Sequence, residues 1–291
     1  MINILVTGSN GQLGSSIRER SCNYKQFAFT YIDINNLDLT DEKQVRHYFQ
    51  SNSFKYIINC AAFTAVDQAE RQPDKAFAVN TAVPELLGSI CSNNLTRLIQ
   101  ISTDYVYDGK QSTPHLEEED PVAVSVYAKS KLNGERALRE NLNVLIIRTS
   151  WLYSEFGNNF LKNMIRLSKE KDILGVVFDQ TGTPTYAGDL AETILHIIYF
   201  SENKGFKPGI YNYSNEGVCS WYDFAVEIMH LTGCKCTVKP INTSEYPLPA
   251  HRPEYSVMDK KKIRNTFGLK IPYWRDSLLK AVKNLEKNKE I

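Results

Sequence analysis

Short runs of apolar and β-branched residues alternate with longer amphipathic stretches through the first half of the chain. The runs are residues 2–7, 27–32, 56–60, 98–102 and 144–149, and the amphipathic stretches are residues 12–20, 42–49, 74–92 and 127–140. Such runs are typical of strands buried on both faces, and their alternation with helices is typical of βαβ units. The pattern therefore predicts an α/β fold with a doubly wound parallel sheet of six or seven strands.

Beyond Trp151 this alternation loosens into mixed helical, aromatic and proline-containing segments, including residues 246–249 and 251–253. Such a change within one chain predicts a smaller C-terminal lobe, which we expect to bind substrate. The predicted boundaries are a first domain over residues 1–152, to which residues 181–204 return, and a lobe over residues 153–291. Residues 274–291 are charged and amphipathic, which predicts a helix whose lysines face solvent.

The composition excludes several classes of protein. The chain has 291 residues, 42% of them hydrophobic, which is enough to bury a large core, and 34 Lys and Arg against 33 Asp and Glu leave it near neutrality. No global field therefore draws it to nucleic acid or to an anionic membrane, and no apolar run approaches membrane-spanning length. The first residues lack the positive segment of a signal peptide.

Six cysteines are scattered along the sequence, at positions 22, 60, 91, 219, 234 and 236. The one close pair, Cys234 and Cys236, lacks the two-residue spacing that is usual in metal sites. We therefore expect reduced thiols in a cytoplasmic protein.

A glycine-rich loop follows the first predicted strand directly and opens the first predicted helix. Glycines spaced as in this loop permit a tight turn, let the backbone approach a pyrophosphate, and bring the helix close to the sheet with N–H groups aimed at the anion. A purely structural turn is the alternative. The context predicts a Rossmann-type dinucleotide-binding domain whose cofactor site includes Gly8, Gly11, Gln12, Leu13 and Gly14.

Asp33 ends the second strand, nineteen residues after Gly14, where an acidic side chain hydrogen-bonds the adenosine ribose of a dinucleotide. Its charge disfavours a 2′-phosphate, so the predicted cofactor is NADH or NADPH, with NADH favoured; a turn-forming aspartate is the alternative. The predicted cofactor site also includes Asp38, Leu39, Ala61, Ala62 and Phe63. The last three follow the third strand, where small residues let the backbone lie against a dinucleotide, and close strand packing is the alternative there.

Tyr127 and Lys131 lie four residues apart in a predicted helix, and positions i and i+4 of a helix share a face. The Lys131 ammonium can therefore lie near the Tyr127 phenol and favour its ionised form, which lowers a pKa that is ordinarily about 10. Downstream of a cofactor loop, this pair predicts a proton-transfer site beside a nicotinamide. For such a pair taken alone, an ordinary amphipathic helix is the alternative.

Thr103 follows the run at residues 98–102, at the carboxyl edge where α/β sheets bind ligands. Its hydroxyl could hydrogen-bond a substrate carbonyl oxygen together with Tyr127, although a Ser-Thr-Asp sequence is also common in turns and caps. The glycine loop, Thr103, Tyr127 and Lys131, in this order, resemble an extended short-chain dehydrogenase/reductase.

Several segments extend this resemblance to the dTDP-4-dehydrorhamnose reductase family. They are residues 11–14, 59–67, 102–109, 127–135, 148–153, 157–160, 179–184, 246–249 and 252–253. The resemblance implies reduction of the 4-keto group of dTDP-4-dehydro-L-rhamnose to dTDP-L-rhamnose by hydride from NADH or NADPH. This is the last step of a pathway that supplies rhamnose for surface polysaccharides, and related 4-keto-6-deoxy sugars stay open as substrates.

The same resemblance implies roles for individual residues. Tyr127 would donate a proton to the C4 oxygen, Lys131 would lower the tyrosine pKa and hold the nicotinamide ribose, and Thr103 would orient the carbonyl. The residues that would contact a dTDP-4-keto-6-deoxy sugar are Thr103, Asp104, Trp151, Asn159, Gln180 and Arg252. The forked donors of Arg252 suit a diphosphate, and a surface salt bridge is the alternative.

Two residues depart from the family pattern. Phe63 stands where many relatives carry a histidine, which removes a polar contact near the cofactor and leaves the backbone role. Some relatives carry an acidic residue two positions after the third glycine, where it serves a metal site at a dimer interface, and this chain has Ser16 there. We therefore expect no metal, and a homodimer is left open.

Two other functions stay open. A nucleotide-sugar dehydratase or epimerase would share the glycine loop, Tyr127 and Lys131, but dehydratases carry an acidic pair after the threonine, and here the second of that pair is Tyr105. Epimerisation is not excluded by this substitution. The regulatory subunit of methionine adenosyltransferase, which binds NADP(H) and a partner enzyme, resembles the same reductases, and the intact catalytic set weakens that alternative.

Overall fold

Strands and helices alternate through residues 1–94 and 96–288, which are the residues that the computed structural model describes. The strands are β1 (Ile2–Thr7), β2 (Phe27–Tyr31), β3 (Tyr56–Asn59), β4 (Arg97–Thr103), β5 (Val144–Thr149), β6 (Leu152–Tyr153), β7 (Ile173–Val177), β8 (Thr181–Gly182), β9 (Thr185–Tyr186), β10 (Gly209–Tyr213), β11 (Cys219–Ser220) and β12 (Thr237–Ile241). The helices are α1 (Gln12–Arg20), α2 (Glu42–Ser51), α3 (Val66–Arg71), α4 (Pro73–Phe77), α5 (Val83–Asn94), α6 (Val126–Leu138), α7 (Phe160–Glu170), α8 (Ala187–Lys204), α9 (Trp221–Thr232), α10 (Lys261–Phe267) and α11 (Trp274–Lys287). A π-helical segment, Ala78–Ala82, joins α4 to α5. Of the helices in these ranges, none has both the length and the apolar character needed to cross a membrane.

Six strands form one sheet in the order β10-β5-β4-β3-β1-β2, and all neighbouring pairs run parallel. The predicted parallel sheet is therefore confirmed. The chain starts at β1, adds β2 on one side, and then adds β3, β4 and β5 on the other. Because the strand order reverses between β1 and β3, the loops leaving their carboxyl ends diverge and open a crevice, where such sheets bind ligands.

Helices cover both faces of the sheet because its strands are apolar on both sides. On β1, Ile4 and Val6 pack with α1, α8 and α10 on one face, whereas Leu5 packs with α2, α5 and α6 on the other. All three side chains are fully buried. Successive residues of a strand point to opposite faces, so an unbroken apolar run produces the doubly wound arrangement that the sequence predicts.

A second hydrophobic cluster lies among α7, α9, α11 and the two-stranded sheet of β7 and β12. Phe224 of α9 and Trp274 of α11 are buried in it. Helix α11 buries its apolar face there and leaves lysines 280, 283 and 287 exposed. The predicted tail helix is confirmed to Lys287, and residues 289–291 of that prediction lie outside the described residues.

Two segments that the sequence assigns to the second lobe pack instead with the large sheet. Strand β10 is the edge strand of the large sheet and pairs with β5. Ile263 and Phe267 of α10 pack with α1 and α8 on one face of that sheet. Local patterns could not predict this, because the chain leaves the sheet after β5 and returns to it only through long-range pairing. The division of the chain into two domains otherwise stays a prediction.

A buried ion pair joins α6 to the centre of the sheet. Glu135 on α6 and Arg148 on β5 expose only 3% and 2% of their side chains, and Arg148 donates to the carboxylate from Nη2 at 2.7 Å and from Nε at 3.1 Å. Ser102 of β4 also donates to Glu135, and Arg148 donates to the Tyr107 hydroxyl at 2.8 Å. The carboxylate is therefore bonded from two adjacent strands, which fixes the helix over the sheet.

We predict that Arg148→Met lowers the free energy of unfolding by about 3–5 kcal/mol, because it leaves the Glu135 carboxylate buried without its cation. Urea unfolding at neutral pH, followed by circular dichroism, measures the change. A loss below about 1 kcal/mol would show that water or another group compensates the carboxylate.

Arg46→Met is the matched control, since Arg46 pairs with Glu42 at 2.8 Å but both side chains are about half exposed. The expected change is within about 0.5 kcal/mol, because exposed ion pairs contribute little to stability.

Candidate active site

Three strands end beside one another at the crevice: β1 at Thr7, β3 at Asn59 and β4 at Thr103. Within that edge, the Thr7 hydroxyl donates to the Asn59 side chain at 2.6 Å, and Asn59 donates to Gln100 at 2.7 Å. These side chains are buried, so the row of hydrogen bonds fixes the strand ends relative to one another. The glycine loop, residues 61–63 and Thr103 all leave the sheet from this edge, as predicted.

The glycine loop packs so closely that two of its glycines cannot be replaced without displacement. Gly8 has a φ of 58°, and a Cβ there would lie 2.6 Å from the backbone nitrogen of Ala61. A Cβ on Gly14 would lie 2.5 Å from Ser9 Cα. Only glycine accepts both this backbone conformation and this proximity, so the loop lies directly against the segment that follows β3.

The first turn of α1 fits an anionic group. Its N-cap, Gly11, has no side chain to accept a hydrogen bond from the first-turn N–H groups, and the turn carries no acidic side chain. N–H groups in this position have no acceptor within the helix and carry partial positive charge. The Gln12 side chain instead accepts a hydrogen bond from the Ser154 hydroxyl at 3.0 Å. Leu13 is buried in the hydrophobic cluster between α1, α8 and the large sheet. The backbone of residues 11–14, rather than these side chains, therefore fits a cofactor phosphate.

Asp33 lies at the end of β2 and bonds to the glycine loop. Its Oδ2 accepts a hydrogen bond from the Asn10 N–H at 2.9 Å, and its Oδ1 accepts one from the N–H of the following residue at 2.8 Å. Asp38 accepts hydrogen bonds from the N–H and hydroxyl of Thr40 at 2.9 and 2.7 Å, and Leu39 packs against the core. Asp38 and Leu39 thus have structural partners of their own.

Arg18 is a cation beside this loop that the sequence analysis missed. Its guanidinium lies 4.7 Å from the centre of the Tyr31 ring and donates to the Ser9 hydroxyl at 3.2 Å. Since Ser9 and Asn10 are consecutive, the Arg18 guanidinium and the Asp33 carboxylate flank the same two loop residues. The sequence held a signal for it, because Arg18 follows the third glycine by four residues, about one helical turn.

Asn80 holds the segment after β3 against α6. It accepts a hydrogen bond from the Phe63 N–H at 2.9 Å, and it donates to the Phe63 carbonyl and to the Ser130 hydroxyl, both at 3.0 Å. Its own carbonyl lies where a Cβ on Gly134 would come within 2.2 Å. The sequence analysis missed this residue, because the widening of one helical turn into the π-helical segment has no periodic signal.

Helix α6 brings Tyr127 and Lys131 to the crevice. Ser125 caps the helix by accepting a hydrogen bond from a first-turn N–H at 3.2 Å. The Tyr127 ring is 8% exposed and packs edge-on against Tyr105, with the ring centres 5.5 Å apart. Lys131 is 5% exposed, and its ammonium donates to the Ile101 carbonyl of β4 at 2.6 Å.

Burial determines the protonation of both groups. It raises the pKa of Tyr127 to about 12, against the effect of the nearby Thr103 hydroxyl, and the charge of Asp104 adds to the rise. Burial also lowers the pKa of Lys131 to about 8, against the attraction of Glu135. The prediction that Lys131 lowers the Tyr127 pKa is therefore wrong. The cost of ionising the buried phenol outweighs the favourable groups around it, so its pKa lies above the ordinary value.

Thr103 and Asp104 lie next to the phenol. The Thr103 hydroxyl accepts a hydrogen bond from the Tyr105 N–H at 3.2 Å and donates to Asp104 Oδ1 at 3.0 Å. Asp104 is 1% exposed, and its Oδ2 has no hydrogen-bond partner among the described residues. Burial raises the pKa of this carboxyl to about 6, against the nearby hydroxyls of Ser256 and Thr103. A buried oxygen without a partner fits a polar atom of a ligand.

A cavity of about 910 Å³ is lined by residues of α7, β7 and the segment at 243–254. Gln180 and Arg252, both predicted to contact substrate, lie in its wall, as does Trp221. Trp151 stacks on Trp221 with the ring centres 3.6 Å apart. Arg252 also forms a salt bridge with Asp67 at 2.8 Å. The alternative interpretation of Arg252 as a salt-bridge residue is therefore correct, and the residue also lines the cavity.

Asn159 has a structural function at the start of α7. Its side chain accepts a hydrogen bond from the Lys162 N–H at 3.2 Å and donates to the carbonyls of Ser154 and Phe156 at 2.8 and 3.2 Å. Both amide hydrogens are therefore engaged within the turn that precedes the helix. Asn159 is thus the N-cap of α7, and its predicted contact with substrate stays a prediction.

No group of three or more His, Cys, Asp and Glu side chains within the described ranges is arranged to hold a metal ion. Ser16, where some relatives carry an acid, is buried and donates to the Gln12 carbonyl at 2.9 Å. The expected lack of a metal and the open homodimer both stay predictions.

The parallel sheet, the glycine loop at its switch point, and a tyrosine and lysine one turn apart beside Thr103 define an extended short-chain dehydrogenase/reductase. The family model described as the RmlD substrate binding domain matches residues 2–287. The chain belongs to this family, that of the dTDP-4-dehydrorhamnose reductases.

Individual relatives agree over nearly the whole chain. A dTDP-4-dehydrorhamnose reductase of Aggregatibacter actinomycetemcomitans is 38% identical over 98% of this chain and 98% of its own. The crystal structure of a dTDP-4-dehydrorhamnose reductase from Clostridium acetobutylicum is 40% identical, with a TM-score of 0.92 over 98% of this chain and 100% of its own. A Bacillus anthracis dTDP-4-dehydrorhamnose reductase in complex with NADP is 36% identical, with the same TM-score and coverage.

We predict that Asp104→Asn becomes more stable relative to the wild type as the pH rises through about 6. The folded-state pKa of Asp104 is about 6, above the ordinary 3.8 of the unfolded chain, so the folded state binds the extra proton between these values. The wild type therefore has the full contribution of this proton below about pH 4 and loses it as the pH rises, by up to about 3 kcal/mol. Urea unfolding at several pH values between 4 and 7.5 measures the difference.

Asp120→Asn is the control for this measurement, because Asp120 is exposed. Its stability relative to the wild type should change little over the same range. A constant difference between wild type and Asp104→Asn would contradict the raised pKa.

Proposed function

We propose that this protein reduces the 4-keto group of dTDP-4-dehydro-L-rhamnose to give dTDP-L-rhamnose, with NADH or NADPH as the reductant. One observation carries the proposal: α6 brings the buried Tyr127 and Lys131 to the end of β4, where the Lys131 ammonium donates to the Ile101 carbonyl two residues before Thr103, at the sheet edge from which the glycine loop leaves. Membership of the family supports it, since relatives that align over nearly the whole chain are named dTDP-4-dehydrorhamnose reductases. A nucleotide-linked substrate and a nicotinamide reductant are used in the cytoplasm, and that location is part of the proposal.

Tyr127 is the proposed proton donor. Because its pKa is about 12, the phenol holds its proton at neutral pH and can give it to a substrate oxygen as negative charge develops there. Thr103, which lies beside the phenol at the end of β4, orients the same carbonyl. When bound, the nicotinamide supplies the hydride.

Lys131 is proposed to hold the nicotinamide ribose. With a pKa of about 8 the amine is mostly protonated at pH 7, and an ammonium has three hydrogen-bond donors. One of them is engaged by the Ile101 carbonyl, which fixes the side chain and leaves two for ribose hydroxyls.

The proposed cofactor contacts are those whose packing or free donors fit a dinucleotide. The backbone N–H groups at the start of α1 would hold the pyrophosphate, and Asp33 would face the adenosine ribose. The full set is Gly8, Gly11, Gln12, Leu13, Gly14, Asp33, Ala61, Ala62, Phe63, Tyr127 and Lys131. Asp38 and Leu39 have less support, because their polar and apolar groups already have partners.

The proposed substrate contacts lie on both sides of the phenol. Asp104 would accept a hydrogen bond from a sugar hydroxyl through its unpartnered oxygen, and the Trp151 indole would form a wall of the sugar site. Gln180 and Arg252, which line the cavity, would contact the nucleotide part, with Arg252 at the diphosphate. A cavity of about 910 Å³ is large enough for a nucleotide sugar.

Neighbouring functions have less support from the same residues. Dehydration needs an acid where this chain has Tyr105, a partly buried ring that packs on Tyr127 and whose pKa desolvation keeps above its ordinary value. A regulatory subunit needs no proton donor, whereas here Tyr127 and Lys131 are buried at the end of β4, in the crevice beside the glycine loop.

The direct test is the oxidation of NADH and of NADPH in the presence of enzymatically prepared dTDP-4-dehydro-L-rhamnose, with the product identified by NMR. Oxidation coupled to formation of dTDP-L-rhamnose is the expected result. Cofactor binding without oxidation would contradict the proposal and favour another keto sugar or the regulatory function.

We predict that Tyr127→Phe lowers kcat by about 10²–10⁴-fold while the affinity for NADPH stays within about twofold, because only the proton donor is removed. Steady-state kinetics and fluorescence titration of NADPH measure the two quantities. Tyr105→Phe is the matched control, since it removes the neighbouring phenol and should keep kcat within about threefold. A Tyr127→Phe variant with more than about a tenth of wild-type kcat would refute the assignment.

We predict that Asp33→Ala raises the ratio of kcat/KM for NADPH to that for NADH by about tenfold, because it removes an anion near a 2′-phosphate. Arg18→Gln should lower the same ratio by a similar factor, since it removes the cation that flanks the same loop residues. Glu19→Gln, on the same helix, is the control, because Glu19 pairs with Arg20. Unchanged ratios in the first two variants would remove both side chains from the determinants of cofactor preference.

A further inference from the structure

The guanidinium of Arg252 is held by one edge. Its Nη2 donates to Asp67 Oδ2 at 2.8 Å, and its Nη1 donates to Asp67 Oδ1 at 3.2 Å and to the Ala250 carbonyl at 3.0 Å. This end-on arrangement uses both hydrogens of Nη1 and one of Nη2. A guanidinium has five N–H donors in a fixed plane, so two of them stay on its other edge.

That second edge consists of Nε–H and the remaining hydrogen of Nη2. Neither has a hydrogen-bond partner among residues 1–94 and 96–288, although Arg252 itself is only partly exposed. Two parallel N–H groups on one edge form the fork that binds carboxylate and phosphate groups in pairs. Both Arg252 and Asp67 lie in the wall of the 910 Å³ cavity.

Asp67 is itself fixed by its helix and by the segment that precedes Arg252. It lies in the first turn of α3, and its Oδ1 also accepts a hydrogen bond from the Ala250 N–H at 3.1 Å. Its hydrogen bonds with Arg252 hold the pKa of the carboxyl below its usual value, so it stays charged at neutral pH. The carboxylate therefore connects α3, beside the cofactor crevice, to a segment 185 residues away in the sequence.

We propose that Asp67 is a positioning residue for nucleotide-sugar binding: it holds the end-on edge of Arg252 so that the second edge of the guanidinium receives the diphosphate. The inference deepens the proposed function and rests on it, because it needs a nucleoside diphosphate in the cavity. The opposite role is that of a competitor, in which Asp67 occupies Arg252 until a diphosphate displaces it. The two roles predict opposite effects of removing the carboxylate, because a holder strengthens diphosphate binding and a competitor weakens it.

The effect belongs to binding rather than to the chemical step. Asp67 and Arg252 have no hydrogen bond to Tyr127, Lys131 or Thr103 among the described residues. Between the pair and the phenol stands Tyr105, whose ring packs on Tyr127 and donates no proton in the proposed reaction. A change at Asp67 is therefore expected to alter KM and the affinity for dTDP, and to leave kcat nearly unchanged.

Isothermal titration of the full chain with dTDP and with dTMP, alongside steady-state kinetics, tests the proposal. For Asp67→Asn we expect the Kd of dTDP and the KM of the substrate to rise about 10–100-fold, with kcat within about twofold. The dTMP affinity should change less, because its single phosphate need not reach the fork. In the Arg252→Gln background, Asp67→Asn should change the Kd of dTDP little further, because there is no longer a guanidinium for Asp67 to position.

Asp67→Glu retains the charge and gives a second measurement if Asp67→Asn fails to fold, with an expected Kd between those of wild type and Asp67→Asn. Glu42→Gln, which removes the exposed partner of Arg46, is the control and should leave Kd unchanged. Wild-type affinity for dTDP in both Asp67 variants, or tighter binding, would overturn the inference. Failure of the wild type itself to bind dTDP would overturn the proposed function instead, so the two failures are distinct.

Discussion

The hydrogen-bonded ion pair between Glu135 and Arg148 is the constraint on which the site depends. Helix α6 carries the tyrosine and lysine, whereas β4 ends in Thr103, so the reacting groups meet only if the helix keeps one height and one rotation over the sheet. Hydrophobic packing alone is not directional and would tolerate small slides and rotations. The Glu135 carboxylate accepts from Arg148 on β5 and from Ser102 on β4, and a bond of this fork geometry fixes both degrees of freedom.

The burial of this part of the crevice also determines the protonation of Tyr127 and Lys131. In a crevice of low polarity the neutral form of each group is favoured, so the pKa of Tyr127 rises and that of Lys131 falls. A ketone reductase needs a donor that keeps its proton until charge develops on the carbonyl oxygen, and a phenol with a raised pKa meets that need. Glu135 lies one turn after Lys131, and its charge opposes the loss of the lysine proton. One carboxylate thus holds the helix and sustains the cation.

Much of the fold and part of the candidate site follow from the sequence, because apolar runs, glycine spacing and i,i+4 pairs are local signals. Contacts between segments that are distant in the sequence could not be predicted from such signals. The edge strand β10 pairs with β5 only after the chain has passed through the second cluster, and Asp67 meets Arg252 across 185 residues. The predicted direction of the Tyr127 pKa shift was also wrong, because sequence spacing places an ammonium on the same face without showing how deeply the phenol is buried.

The proposed wall of the sugar site depends on a strained residue that the second hydrophobic cluster holds in place. Trp151, just after β5, has a φ of 46°, a conformation that costs a bulky residue on the order of 1–3 kcal/mol. It persists because its ring stacks on Trp221 of α9 and because Gly182 leaves the space that a Cβ would fill, 2.6 Å from the indole. Both rings of the stack pack against the second cluster, which the chain reaches two residues after β5 ends. The proposed wall therefore connects the carboxyl edge of the sheet to the second cluster and is shaped before a substrate binds.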